Sequence, residues 1–135
     1  MKRVLYTDGN CSGNDRPDLS KRNMIAAVSD ERGIILIDKH QEGGSNNIAE
    51  LLAVKEALVW CIANKITDVE IRTDSRNNLA WVFGKKVGKK INDRDAVLAL
   101  KTSIDVCRSM LSLSLKWIPR ERNLAGLYIE QKYQL

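Results

Sequence analysis

The chain has 135 residues, 44% of them hydrophobic, which allows one domain with a genuine core (residues 1–135) and excludes two ordinary ones. Its 22 Lys and Arg against 17 Asp and Glu give a net charge of +5, which suits a polyanionic partner. Cys11, Cys61 and Cys107 lack the paired spacing of a zinc or redox motif, and neither a leader nor a run of the ~20 apolar residues needed to span a bilayer is present, so a soluble, unprocessed cytoplasmic monomer with reduced thiols and no membrane partner is expected.

In chain order, Val4, Leu5 and Tyr6 predict a buried strand that stops at Thr7-Asp8-Gly9, followed by a polar, turn-rich stretch from Asn10 to Asn23. Met24 to Val28 and Ile34 to Ile37 predict an antiparallel hairpin closed by Gly33 in the left-handed conformation. From Asn47 to about Asn64, Ile48, Leu51, Leu52, Leu58, Val59 and Ile62 recur at helical spacing, with Asn46 or Asn47 as N-cap and Lys55 and Glu56 outward. Asp68 to Asp74 alternates as a strand ending at an acid, and a short helix follows through Leu79 and Trp81.

Beyond the basic stretch Lys85 to Lys90, the residues Val97, Leu100, Ile104 and Cys107 mark a further helix. Leu111, Leu113, Leu115 and Trp117 then alternate as a strand halted by Pro119, and Asn123 caps a last helix with Leu124, Leu127 and Tyr128 on its inner face. The order βββαβααβα describes an α/β fold with a five-stranded mixed sheet flanked by helices.

Two acids, Asp8 and Asp74, each end a predicted strand, where open α/β sheets bind ligands, and they converge if those strands are neighbours. Glu50 shares a helical stripe with Val54, Ala57 and Cys61, a costly place for a carboxylate without compensation. Two carboxylates ~5 Å apart repel by roughly 3 kcal/mol at an effective dielectric near ~20, a conflict that a hard divalent cation removes. All-oxygen ligands favour Mg²⁺ or Mn²⁺ over zinc, and two ions ~4 Å apart can activate a water and stabilise a leaving oxygen. Singly, each motif also has an ordinary reading: a turn, a helix cap, a solvated helical acid.

Together, five pieces resemble the ribonuclease H type 1 family, including the related domains of reverse transcriptases. They are Tyr6-Thr7-Asp8-Gly9, Cys11-Ser12-Gly13-Asn14, Asn46-Asn47-Ile48-Ala49-Glu50-Leu51, Thr73-Asp74-Ser75 with Trp81, and Trp117-Ile118-Pro119-Arg120-Glu121-Arg122-Asn123-Leu124-Ala125. The resemblance implies an RNase H-like fold and a metal-dependent endonuclease that cuts the RNA strand of RNA/DNA hybrids. It implies two metal ions on Asp8, Glu50 and Asp74, and hybrid contacts from Asn10, Cys11, Gly13, Asn14, Asn47, Ser75, Arg120, Arg122 and Asn123. The 2′-hydroxyl is what such contacts would read.

The match breaks where the family carries a fourth aspartate, because this chain has Gly126 there. Glu130, four residues on and on the same helical face, is a candidate replacement, against which stands the ~6 Å that four residues advance along a helix. The only histidine, His40, falls near the end of the third strand and reads as a surface residue, while Arg120 and Arg122 occupy the loop where many members carry a histidine. Lys85 to Lys90 are candidates for holding the DNA strand. The alternative to an active nuclease is a catalytically impaired module of the same fold that binds nucleic acid or a protein partner.

Overall fold

The computed structural model describes residues 2–13, 18, 21–84, 87–88 and 93–133. Five strands run β1 (Arg3–Ser12), β2 (Asn23–Asp30), β3 (Ile35–Glu42), β4 (Asp68–Thr73) and β5 (Ser112–Trp117), in the spatial order β3-β2-β1-β4-β5. The pairs β1/β2 and β2/β3 are antiparallel, whereas β1/β4 and β4/β5 are parallel. Helices α1 (Asn46–Ala63), α2 (Arg76–Val82), α3 (Arg94–Arg108) and α4 (Leu124–Tyr133) complete the expected order, with a 3-10 turn at Arg120–Arg122 before α4. None of the helices among the described residues is long and apolar enough to cross a membrane.

Alternation along β2 divides the helices between the two faces of the sheet. Met24, Ala26 and Val28 join the large core under α1 and α3, while Ile25 and Ala27 meet Ala125 and Ile129 of α4 on the other face. Strand β1 is longer than its apolar run predicts. It continues through Asp8 to Ser12 because β2 pairs with it as far as Ser12↔Asn23, so Asp8 lies inside a strand and not at its end. What stops near Asp8 is the parallel neighbour: β4 ends at Thr73. Gly9 is accordingly no turn residue. A Cβ there would lie 2.1 Å from the carbonyl carbon of Ala49 and 2.3 Å from the nitrogen of Glu50, so only glycine lets the backbone of α1 rest against β1.

The N-cap of α1 is Ser45, whose Oγ accepts the Ile48 N–H at 3.2 Å, and not Asn46 or Asn47. Asn46 is occupied elsewhere: its Oδ1 accepts the Cys11 N–H at 2.7 Å, tying the end of β1 to the start of α1. Gly33 closes the β2/β3 turn at φ +82° as expected, with Asp30 Oδ1 accepting the N–H groups of Arg32 and Ile34. Val59, counted above among the apolar stripe of α1, is instead exposed.

Helix α4 keeps Tyr128 packed against the sheet as expected but turns Leu127 outward. Its packed face is Ala125, Gly126 and Ile129, and Leu127 is exposed. Gly126 allows the close approach to β1, where a Cβ would stand 3.1 Å from Asp8 Oδ2. The far end of α4 is fastened to β3 through Asp38, which accepts hydrogen bonds from Tyr128, Tyr133 and Lys132. His40 lies on β3 with its side chain 53% exposed, against Asp38 and Tyr133.

Candidate active site

Parallel pairing sets two of the three acids level with each other. Tyr6 pairs with Arg72, so Asp8 and Asp74 each stand two residues beyond a paired position on adjacent strands. Glu50 arrives from the second turn of α1, brought against β1 by the contact at Gly9. One carboxylate oxygen from each of Asp8, Glu50 and Asp74 lies within 4.8 Å of the other two. Asn10, Asn46 and Arg120 complete the cleft around them.

Burial dominates the electrostatics of this cluster. It pushes the Asp8 carboxyl up to about 6, with Asp74 adding repulsion and a hydrogen bond to Glu50 opposing it. Glu50 is raised well above the ordinary glutamate range, first by burial and then by the charge of Asp8. Asp74 is raised by burial, against a hydrogen bond from Asn123 and the positive charge of Arg120. The backbone N–H of Gly9 favours the charged forms of both Asp8 and Glu50, without cancelling the effect of burial.

These residues fit a divalent metal site. The donors are all carboxylate oxygens, the set that hard cations prefer. Glu50 Oε2 is buried and has no hydrogen-bond partner, an arrangement that costs energy unless a cation meets that oxygen.

Asn123 holds the floor of the site. Its Nδ2 donates to the Thr7 carbonyl at 2.9 Å and to Asp74 Oδ2 at 3.2 Å, while its Oδ1 accepts the N–H groups of Ala125 and Gly126. It therefore caps α4, as expected, and joins it to both strands. Trp117 Nε1 donates to the Asp74 carbonyl at 3.2 Å, and the Arg76 guanidinium stacks 4.4 Å from the Trp117 ring.

Glu130 lies outside the cluster of three. Its Oε1 pairs with Arg120 Nη2 at 2.9 Å, and its side chain is 40% exposed. It is near enough to Asp74 to raise that acid further by its charge. A Cβ at Gly126 would stand 3.1 Å from Asp8 Oδ2, so an aspartate there would project at the cluster.

Among the other candidates, Asn10 borders the cleft, and Asn47 and Arg122 are exposed. Cys11 is a buried strand residue, Ser75 caps α2 by accepting the Asn78 N–H at 3.3 Å, and Gly13 takes φ +74° at the end of β1. Asn14 and the lysines at 85, 86, 89 and 90 lie outside the described residues.

Sequence reasoning missed Asn46 as a tie between elements and Asn78 altogether. Asn78 sits three and four residues before Trp81 and Val82 on the buried stripe of α2, and an amide on that stripe was the available signal.

The RNase H family model matches residues 1–124 of the chain. The chain belongs to the RNase H family. It is 30% identical over 128 residues to a ribonuclease H of Caulobacter sp. (strain K31), covering 87% of this chain and 77% of that protein. The fold agrees with RNase H1 from Halobacterium salinarum NRC-1 at a TM-score of 0.72, with 18% identity and full coverage of both chains. LC11-RNase H1, solved in complex with an RNA/DNA hybrid, is similar at a TM-score of 0.58 and 28% identity, over 89% of this chain and 87% of that one. As a ribonuclease H, the protein is a nuclease, and its three clustered carboxylates are the group that can hold a metal ion among the described residues.

Proposed function

We propose that this ribonuclease H cleaves the RNA strand of RNA/DNA hybrids, using two Mg²⁺ or Mn²⁺ ions held by Asp8, Glu50 and Asp74. The observation that carries the reading is the cluster of three carboxylates within 4.8 Å, set beyond a parallel strand pair. The hybrid bound by LC11-RNase H1 supports the choice of substrate. When bound, the ions supply Lewis-acid activation of a water and neutralise charge at the leaving oxygen.

The chain's own residues do the positioning. Asn123 fixes one carboxylate oxygen of Asp74 by donating to it. Burial of Glu50 and Asp8 removes competing water and strengthens their pull on a cation. Arg120, at the rim, is placed to meet a backbone phosphate, and Asn10, Asn47 and Arg122 offer further polar contacts to the hybrid. Three buried free thiols agree with action in a reducing cytoplasm.

Labelled RNA/DNA hybrid incubated with Mg²⁺ or Mn²⁺, beside single-stranded RNA and duplex DNA, tests the reading. Cleavage of the hybrid's RNA alone is expected. Gly126 favours one rival, a module that binds the hybrid without cutting it; salt-sensitive binding with no scission in either metal would decide for that rival.

A further inference from the structure

Asn78 is fully buried in α2, on a face otherwise formed by Trp81 and Val82. Its Nδ2 donates to the backbone carbonyl of Glu50 at 3.2 Å and to Thr73 Oγ1 at 3.3 Å. Thr73 Oγ1 also accepts the Ser75 N–H at 3.0 Å, so the residues on either side of Asp74 are bound to one another and to Asn78. One amide thus joins the helix that carries Glu50 to the turn that carries Asp74.

That amide is a poor choice for stability. Its Oδ1 is buried without a hydrogen-bond partner, a penalty that an apolar side chain of similar size would escape. The stripe it occupies suits leucine or valine. A polar group kept at such a cost is accounted for by what its donor holds in place.

We propose that Asn78 is a positioning residue that fixes the spacing between the backbones of Glu50 and Asp74 and so sets how tightly their carboxylates grip divalent cations. It touches neither cation nor substrate. The inference rests on the metal-site reading above.

The test compares wild type, Asn78→Leu, Thr73→Val and the double variant. Melting temperature is followed in chelator and then across a Mg²⁺ titration without substrate, and the Mg²⁺ concentration for half-maximal hybrid cleavage is measured in parallel. Asn78→Leu is expected to melt no lower than wild type in chelator, while needing roughly 10- to 100-fold more Mg²⁺ in both titrations, the range typical of residues that orient metal ligands. Thr73→Val should shift in the same direction, and the double variant should fall short of the product of the single effects because both act through one linkage.

An unchanged Mg²⁺ requirement in Asn78→Leu, with wild type responding normally, would overturn the proposal and leave the metal site standing. So would a fall in metal-free melting temperature that tracks the Mg²⁺ defect while Thr73→Val behaves as wild type, because Asn78 would then be packing alone. A wild type whose melting and cleavage ignore Mg²⁺ would overturn both readings together.

Discussion

Asp8, Glu50 and Asp74 project from elements packed on the central core, whereas Arg120 and Glu130 pair across the rim with side chains 70% and 40% exposed. On the inner wall, like charges are crowded in a half-buried cleft, a conflict that a proton or a cation would relieve. On the rim, opposite charges meet in solvent, and such a pair contributes only about 0–1 kcal/mol. Under the proposed reading the chemistry belongs to the wall that is electrostatically strained, and the other wall is the one open to variation. Gly126 stands between the two: it sits on α4, yet a Cβ there would lie 3.1 Å from Asp8 Oδ2, so the absent acid would have joined the strained cluster.

The largest effect expected from this contrast is on cleavage. Asp8→Asn or Asp74→Asn should lower Mg²⁺-dependent hybrid cleavage by on the order of a thousandfold, as loss of several kcal/mol of metal-assisted stabilisation implies. Full activity in either variant, measured on a labelled hybrid, would break the assignment of the inner wall.

Next comes stability without metal. The folded protein raises Asp8 from 3.8 to about 6. A group raised in this way contributes its stability fully below the unfolded value and loses it as pH climbs through the folded one. Asp8 alone should therefore cost the metal-free protein on the order of 3 kcal/mol of stability between about pH 4 and pH 6, so that its melting temperature falls progressively over that range. Mg²⁺ should restore the loss at neutral pH, and Asp8→Asn should flatten the profile; thermal melts in chelator across that range read both.

Gly126→Asp sharpens the comparison by carrying the strain of the inner wall onto α4. Its Cβ meets Asp8 Oδ2 at 3.1 Å, so the metal-free variant should melt lower than wild type while binding Mg²⁺ about tenfold more tightly, equivalent to about 1.4 kcal/mol. Calorimetric titration with Mg²⁺ checks the second half.

The smallest effect should come from Glu130→Gln. It breaks an exposed pair, so melting should move by less than about 1 kcal/mol. If the Mg²⁺ requirement for cleavage also stays put, Glu130 is no replacement for the missing acid.

Much of this was legible beforehand because periodicity reports burial. The helical stripe of Glu50 with Val54, Ala57 and Cys61 and the β4 alternation ending at Asp74 both stand as the residues suggest. Reading Asp8 as a strand end failed because the antiparallel partner that extends β1 lies beyond a polar stretch, and Gly9 looks the same in a turn as beneath a helix. The cap of α1 shifted to Ser45 because Asn46 serves the Cys11 backbone, a partner 35 positions away. Leu127 faces outward for a similar reason: hydrophobicity alone does not disclose that Ala125, Gly126 and Ile129 form the inner face of α4.

The contact between Gly9 and the Ala49 peptide is made by main chain on both sides. Side chains elsewhere can drift in size over many substitutions, and this seam keeps its width, because no rotamer or volume change enters it. The gauge of the carboxylate cluster is thereby insulated from the composition of the interior, and a single added methyl group at position 9 would widen it where wholesale exchange of leucines for isoleucines would not.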